Sequence, residues 1–303
     1  MLSQTVDHYL AVRRSLGFKL TNVEIYLDSF AQFAAARGDD HITVRSAIAW
    51  ASQSKTESQR ANRLNTVVRL AQFSQAEDGR HEVPPDNVFC RHRNRPRPYI
   101  YTEQEIQALM TEALKLKPAN SLRPHLYNTL IGLLASTGLR ISEALSLRFE
   151  SITKDGLIIS ETKFRKTRLL PLHETTRDAL ERYVIARKKV DFADNHLFVS
   201  RKRRRLSKTA VYTTFHQLLT AAGVSNKPGQ PRPRLIDFRH TFATTALADC
   251  PDSRDHVGNH LLALQTYMGH AHVGCTYWYL ENTPNLMRDI AQSCSLFIEE
   301  NTK

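Results

Sequence analysis

The chain has 303 residues with 41% hydrophobic and 8% aromatic content, which suits two ordinary domains and excludes a disordered or fibrous protein. Its apolar stretches fall far short of the roughly 18 residues that a membrane helix needs, and the N-terminus lacks the pattern of an export signal. Four cysteines without CxxC spacing favour reduced thiols over a disulfide framework. We therefore expect a cytoplasmic protein with no membrane partner.

The net charge of +12 is unevenly distributed along the chain. Residues 1–90 carry ten basic and ten acidic side chains, so the whole excess, 32 basic against 20 acidic, lies in residues 91–303. Such a surplus predicts a polyanionic partner, most commonly nucleic acid. A basic surface that only keeps the protein in solution is the alternative.

The first ninety residues show apolar side chains at helical spacing, which predicts a unit of four short amphipathic helices. Pro84 and Pro85 end this unit, because consecutive prolines remove helix donors and favour an extended path. We expect a helical domain over residues 1–88, a basic linker over 89–100 and a second domain over 101–303. Four arginines of the linker are candidates for contact with DNA phosphates, with a solvated spacer as the alternative: Arg91, Arg93, Arg95 and Arg97.

The second domain is predicted to be mainly α-helical with a small β-hairpin sheet. Thr102 and Glu105 fit a capping box that opens a helix to about residue 117, and an apolar helix over 122–137 stops at Gly138. Helical spacing resumes over 141–147, and strands at 156–160 and 168–172 form a hairpin with a basic tip. Further helices are expected at about 174–190, 207–222, 237–249 and 259–268, with a short strand at 196–200.

Five short motifs follow one another in this domain: Thr137-Gly-Leu-Arg-Ile-Ser-Glu143, Thr162-Lys163, Asp237-Phe-Arg-His-Thr-Phe-Ala-Thr244, Met268-Gly-His270 and Thr276-Tyr-Trp-Tyr279. Together they resemble the tyrosine recombinase (phage integrase) family. In that family an arginine in a TGLRxxE turn, a hairpin lysine, an arginine in an HxLRHxFAT helix, a histidine in an LGH turn and a tyrosine nine residues later form one active site. The matching residues here are Arg140, Lys163, Arg239, His270 and Tyr279.

The resemblance implies an N-terminal SAM-like helical core-binding domain followed by an α+β catalytic domain. It also implies a site-specific recombinase or integrase that cuts and rejoins DNA through a 3′-phosphotyrosine intermediate, without metal, ATP or another cofactor. The implied partners are double-stranded DNA and either further copies of the chain in a tetrameric synapse or related recombinases. In the family the segment after the nucleophile commonly docks into a neighbour, and residues 286–298 carry an apolar stripe that suits this.

The residue types fit the chemistry of a phosphodiester. An arginine presents a planar fork of donors and stays charged, so Arg140 and Arg239 suit the non-bridging oxygens of the phosphate. Glu143, one helical turn beyond Arg140, is placed to hold that guanidinium. The family gives Tyr279 the role of nucleophile and Lys163 that of general acid.

Three residues close in sequence to Lys163 and Tyr279 are alternative candidates for the hairpin and tyrosine positions of the site. Arg165 and Lys166 share the hairpin tip with Lys163 and are candidates for contact with the DNA backbone. Tyr277 competes with Tyr279, but two helical positions place the two side chains about 200° apart. The spacing from the histidine selects Tyr279.

One position departs from the family pattern. Ile236 stands three residues before Arg239, where the family has a histidine that assists proton transfer. Isoleucine cannot exchange a proton, and neither Asp237 nor His240 is a convincing substitute. A catalytically weakened relative that acts with active partner recombinases, or a DNA-binding regulator, is therefore the alternative function.

A structural metal site is a further alternative. Six possible ligands are crowded into 26 positions: Cys250, His256, His260, His270, His272 and Cys275. The spacing of His256 and His260 is that of helical ligands, but Gly258 and the polar residues before it favour a loop. We expect no metal.

Overall fold

A computed structural model describes residues 2–85, 87–89, 97–160, 167–190, 195–202, 204–225, 231–248 and 254–269, without the side chains of 254–257. The chain divides into two compact units, Met1–Arg95 and Pro96–Lys303. No helix within the described ranges is long and apolar enough to cross a membrane.

The described part of the first unit contains four helices, as the apolar spacing predicts: α1 (Leu2–Ser15), α2 (Thr21–Ala35), α3 (Val44–Ser52) and α4 (Glu57–Gln75). Thr43 and Thr56 begin α3 and α4, and each hydroxyl accepts a hydrogen bond from a backbone N–H three residues later. Trp50 is buried against Phe30, with ring centroids 5.5 Å apart. This core belongs to the first unit alone.

The second unit begins with α5 (Glu103–Leu114), α6 (Leu122–Thr137) and the short α7 (Ile141–Ala144). A 3₁₀ turn (Phe149–Ser151) leads to β1 (Ile152–Thr153), β2 (Gly156–Ile159) and β3 (Arg168–Leu170), which form an antiparallel sheet in that order. Ile159 lies opposite Arg168 and Leu157 opposite Leu170. The remaining described helices are α8 (Glu174–Lys188), α9 (Lys208–Ala221), α10 (Asp237–Ala248) and α11 (Arg254–Met268).

Helix α6 lies at the centre of the second unit and packs against α5, α8 and α10. Its buried side chains include Leu130, Leu133 and Leu134, which explains why the sequence is apolar on most of its faces. The capping box of Thr102 and Glu105 is present at the start of α5. A smaller apolar cluster joins α10 to α11.

The predicted fold class, mainly α with a small antiparallel sheet, is confirmed, and β1 adds a third strand to the predicted hairpin. The strand expected at 196–200 is reduced to single bridges between Arg148 and His196 and between Val199 and Arg205. The hairpin tip at 161–166 and the apolar stripe at 286–298 lie outside the described residues.

The loop expected around Gly258 is wrong, because α11 already begins at Arg254. Polar residues such as those at 252–256 suit the first turn of a helix as well as a loop. A single glycine inside a helix costs only about 1 kcal/mol, and Gly258 has open space where a Cβ would stand. His256 and His260 therefore do lie at helical spacing.

Candidate active site

The turn between α6 and α7 positions Arg140. Gly138 ends α6 in the left-handed region with φ of 60°, a conformation that glycine adopts readily because it has no Cβ. A Cβ here would lie 2.7 Å from the ring of Phe242. Leu139 is buried next to it, and Arg140 follows directly before α7 with its side chain 35% exposed. The core thus fixes the backbone of Arg140 while its guanidinium stays accessible.

Glu143 holds Arg140 from the first turn of α7. One carboxylate oxygen accepts from the backbone N–H of Arg140 at 3.0 Å, and the other from its Nη1 at 2.9 Å. Burial alone raises the pKa of Glu143, but the hydrogen bonds and charges of Arg168 and Arg140 outweigh it and hold the pKa below its ordinary value. The carboxylate is therefore ionised at neutral pH.

Arg239 joins two turns that are distant in sequence. Its side chain lies on α10 and is buried. Nη1 donates to the carbonyl oxygen of Gly138 at 2.8 Å, and Nη2 donates to that of Met268 at 2.6 Å. Gly138 belongs to the turn of Arg140, and Met268 ends α11 two residues before His270. Arg239 thus holds the backbone of three of the five motifs together.

The start of α10 is fixed by contacts on both sides. Asp237 is fully buried and accepts from the backbone N–H, Nε and Nη2 of Arg234 at 2.8–3.0 Å. The ring of Tyr101 stacks on that of Phe238 with centroids 4.5 Å apart. The backbone N–H of Tyr101 donates to the hydroxyl of Thr241 at 3.0 Å. These contacts leave the position of Arg239 little freedom.

The residues around the missing histidine have separate places. Ile236 precedes α10 and is 38% exposed. The carboxylate of Asp237 is directed to Arg234, so it does not replace the absent imidazole. His240 lies on α10 with Nε2 3.9 Å from Asp237 and its side chain 15% exposed. The structure thus places an exposed apolar side chain at the position where the resemblance leads us to expect a histidine.

Arg168 is a residue of this region that the sequence analysis missed. Its Nη1 and Nη2 donate to the two carboxylate oxygens of Glu143 at 3.3 and 3.0 Å, and its Nε donates to the carbonyl oxygen of Tyr267 at 2.9 Å. In the sequence it is one basic residue among several near the start of a predicted strand. No local pattern could have selected it, because its partners lie 25 and 99 positions away.

A second missed feature is a run of five consecutive basic residues, 201–205, which we call the basic loop. Its four described members are exposed: Arg201, Lys202, Arg204 and Arg205. Arg205 donates to the carbonyl oxygen of Leu145 at 2.9 Å and to the hydroxyl of Ser146 at 2.7 Å. The basic loop is therefore attached just after α7, the helix that follows Arg140. The run of charge was visible in the sequence.

The other predicted site residues fall outside the part of the chain that the structure describes: Lys163, Arg165, Lys166, His270, Tyr279, Arg91, Arg93 and Arg95. Arg97 is described and exposed. Among the possible metal ligands, His260 has a described side chain, and its Nε2 lies 2.6 Å from the carbonyl oxygen of Ala246. The described residues contain no cluster of three or more His, Cys, Asp or Glu side chains that could hold a metal ion.

Comparison with known proteins gives a consistent result. The model of the phage integrase family matches residues 99–285, a range that includes all five motif residues. The protein y4rB of Sinorhizobium fredii, named as an integrase/recombinase, is 37% identical over 94% of both chains. Tyrosine recombinase XerD of Caulobacter vibrioides is 29% identical over 77% of this chain and 73% of its own.

A solved structure shows the same fold. The Tn1549 transposon integrase in complex with transposon right end DNA gives a TM-score of 0.63 at 18% identity, covering 95% of this chain and 99% of that one. The family match extends over more than half of the chain, and the full-length similarity to y4rB agrees with it. The chain therefore belongs to the phage integrase family of tyrosine recombinases.

Proposed function

We propose that this protein is a site-specific recombinase that cuts and rejoins double-stranded DNA through a covalent 3′-phosphotyrosine intermediate. The observation that carries the proposal is the pair of hydrogen bonds from Arg239 to the carbonyl oxygens of Gly138 and Met268. They gather the turn of Arg140, the helix of Arg239 and the residues just before His270. Family membership supports the same conclusion.

The chemical step starts when the phenolate oxygen of Tyr279 attacks the scissile phosphorus. The bond from phosphorus to the 5′-oxygen breaks, and Lys163 donates a proton to the departing 5′-oxygen, which leaves as a free 5′-hydroxyl. Charge that develops on the non-bridging oxygens is stabilised by Arg140 and Arg239, with His270 as a further donor. Attack by a 5′-hydroxyl on the phosphotyrosine reverses the step, so rejoining needs no ATP.

The charge of the protein fits this substrate. The whole basic excess lies in residues 91–303, and the basic loop adds exposed cations close to α7. We assign phosphate contacts to the basic loop, the linker arginines and the hairpin tip. Such contacts position the duplex, while a few contacts to base edges select the sequence. Assembly of several copies on DNA completes the proposal.

A second candidate function is a DNA-binding relative that supports active partner recombinases without cutting. The observation that favours it is Ile236, which is exposed before α10 while Asp237 is bound to Arg234. Such a protein would bind the same DNA and join the same assemblies. It would form no covalent bond to DNA.

The experiment that separates the two candidates is covalent trapping on a nicked suicide duplex that carries the end of the native mobile element. We expect wild-type protein to give an adduct that survives denaturation and Tyr279→Phe to give none, with duplex affinity nearly unchanged, because only the attacking oxygen is lost. Tyr277→Phe is the matched control and should keep the adduct. Duplex binding without any wild-type adduct would favour the second candidate.

A further inference from the structure

Arg168 occupies a position that could not be predicted from the sequence around it. It is the first residue of β3 and pairs with Ile159 of β2, on the strand that leaves the hairpin of Lys163. Its side chain is only 11% exposed. A buried guanidinium is expensive unless its donors are satisfied, so its partners show what it is there to do.

Those partners belong to two distant segments. The carboxylate of Glu143 accepts from both terminal nitrogens of Arg168, and the carbonyl oxygen of Tyr267 accepts from Nε. Glu143 lies in α7, and Tyr267 lies 99 positions beyond Arg168 at the end of α11. The guanidinium therefore connects α7 and the end of α11 to the sheet.

The backbone after Tyr267 is shaped to receive this guanidinium. Gly269 adopts φ of +65°, and a Cβ on it would lie 2.7 Å from Nη1 and 3.0 Å from Cζ of Arg168. The absence of a side chain at 269 is therefore what lets the guanidinium lie against this turn. His270 is the next residue in the sequence.

Glu143 links Arg168 to Arg140 through hydrogen bonds to both residues. Its two carboxylate oxygens accept from Arg168 on one side and from the backbone N–H and Nη1 of Arg140 on the other. Two guanidinium groups therefore share one buried carboxylate. A lysine at 168 could not reproduce a fork that serves both oxygens and a carbonyl at once.

We infer that Arg168 is a positioning residue that holds the turn 267–269, and with it the start of the segment carrying His270, in a fixed relation to Arg140. The inference rests on the proposed function for the roles of His270 and Arg140. Arg168 itself touches no reacting atom in this scheme. It acts through Glu143 on one side and through the backbone of 267–269 on the other.

The test compares Arg168→Gln and Arg168→Lys with Arg187→Gln in the full chain. Arg187 is the control because its guanidinium is buried, as that of Arg168 nearly is, and donates to two carbonyl oxygens, those of Val190 and His196. One measurement is native-state amide hydrogen exchange in the peptide over residues 262–270. The other is single-turnover adduct formation on the nicked suicide duplex at saturating DNA, alongside the Kd for that duplex.

We expect Arg168→Gln to speed exchange of the 267–269 amides at least tenfold relative to Arg187→Gln. Adduct formation should fall about 100-fold, the scale of a small misplacement in a catalytic geometry, while Kd changes less than about threefold. Arg168→Lys should recover less than about a tenth of the lost rate. Glu143→Gln combined with Arg168→Gln should lose less than the product of the two single losses, because the two side chains share one contact.

Equal behaviour of Arg168→Gln and Arg187→Gln in exchange and in rate per folded molecule would overturn the inference. Multiplying losses in the double variant would also overturn it. If Arg168→Gln does not fold, Arg168→Lys carries the same comparison. If wild-type protein forms no adduct, the proposed function fails, and the exchange measurement alone then decides whether Arg168 holds the turn.

Discussion

Arg239 and Gly138 are joined by a 2.8 Å hydrogen bond across 101 positions of the sequence. The donor is a buried cation and the acceptor is the carbonyl oxygen of the residue that lets α6 turn. The position of the cation is therefore set by contacts within the folded chain. Donors that are fixed in advance need no reorganisation when charge develops on a phosphate.

The first prediction concerns the two arginines of the site. Arg140→Lys and Arg239→Lys keep the charge but lose the planar fork, so each should lower the cleavage rate by an equivalent of about 2–4 kcal/mol. The Kd for duplex DNA should change far less. Arg182→Lys, an exposed change on α8, is the control. Near wild-type cleavage by both variants would remove these arginines from the phosphate site.

The second prediction concerns Gly138. Gly138→Ala should destabilise the protein by about 2–4 kcal/mol, because it combines left-handed strain with a clash against Phe242. Gly223→Ala is the matched control, since Gly223 has φ of +67° but open space around the Cβ position, and should cost about 1 kcal/mol. Denaturant unfolding measures both. Equal losses of unfolding free energy in the two variants would show that the contact with Phe242 does not contribute to the cost.

The third prediction concerns pH. Since the pKa of Glu143 is lowered on folding from its ordinary value of 4.5, its ionised form contributes stability that is present above that value and is lost as pH falls through the lower folded pKa. Glu143→Gln should cost about 3 kcal/mol at pH 7, because it leaves Arg168 buried without its carboxylate. The difference from wild type in the free energy of unfolding should shrink below about pH 4. A difference that stays constant down to pH 3 would contradict the ion pair.

The fourth prediction concerns Ile236. Ile236→His should raise the rate of single-turnover cleavage, because the exposed position before α10 would regain a proton donor and acceptor. Ile236→Gln is the control, since it restores polarity without a group that titrates near neutral pH. If Ile236→His cleaves no faster than Ile236→Gln, the site does not use proton transfer at this position.

The fifth prediction concerns salt. DNA affinity should fall with salt by a slope near 0.9 per neutralised phosphate. Changing Arg201, Lys202 and Arg204 together to Gln should flatten that slope by about two to three units, and changing Arg91, Arg93, Arg95 and Arg97 together should flatten it by about three to four units. The same charge change at Arg182, Lys188 and Lys189 of the α8 region should alter it less. An unchanged slope in either set would mark that segment as solvated.

The sequence predicted those parts of the structure that depend on local pattern. The extent of α6, its end at Gly138 and the capping box at Thr102 follow from apolar spacing and side-chain chemistry within a few residues. The predicted start of α11 was wrong, because the polar residues before Gly258 suit a loop and a first helical turn equally.

The site was predictable in its motifs and not in the contacts between them. Arg140 and Glu143 lie one helical turn apart, so their contact could be expected from spacing alone. The partners of Arg168 and Arg239 lie about 25 to 101 positions away, and a local pattern contains no information on such distances. Family resemblance selected Arg239 but offered no reason to select Arg168.

The close contact between Gly269 and the guanidinium of Arg168 limits which substitutions these two positions can accept in evolution. A side chain at 269 would occupy the place of the guanidinium, so the two positions are not free to vary independently. A relative with a larger residue at the position of Gly269 should carry a shorter one at that of Arg168, and must then anchor its glutamate in another way. The glycine of the Met268-Gly-His270 motif thus has a partner a hundred residues earlier, and paired substitution at 168 and 269 is the trace that this contact would leave in related sequences.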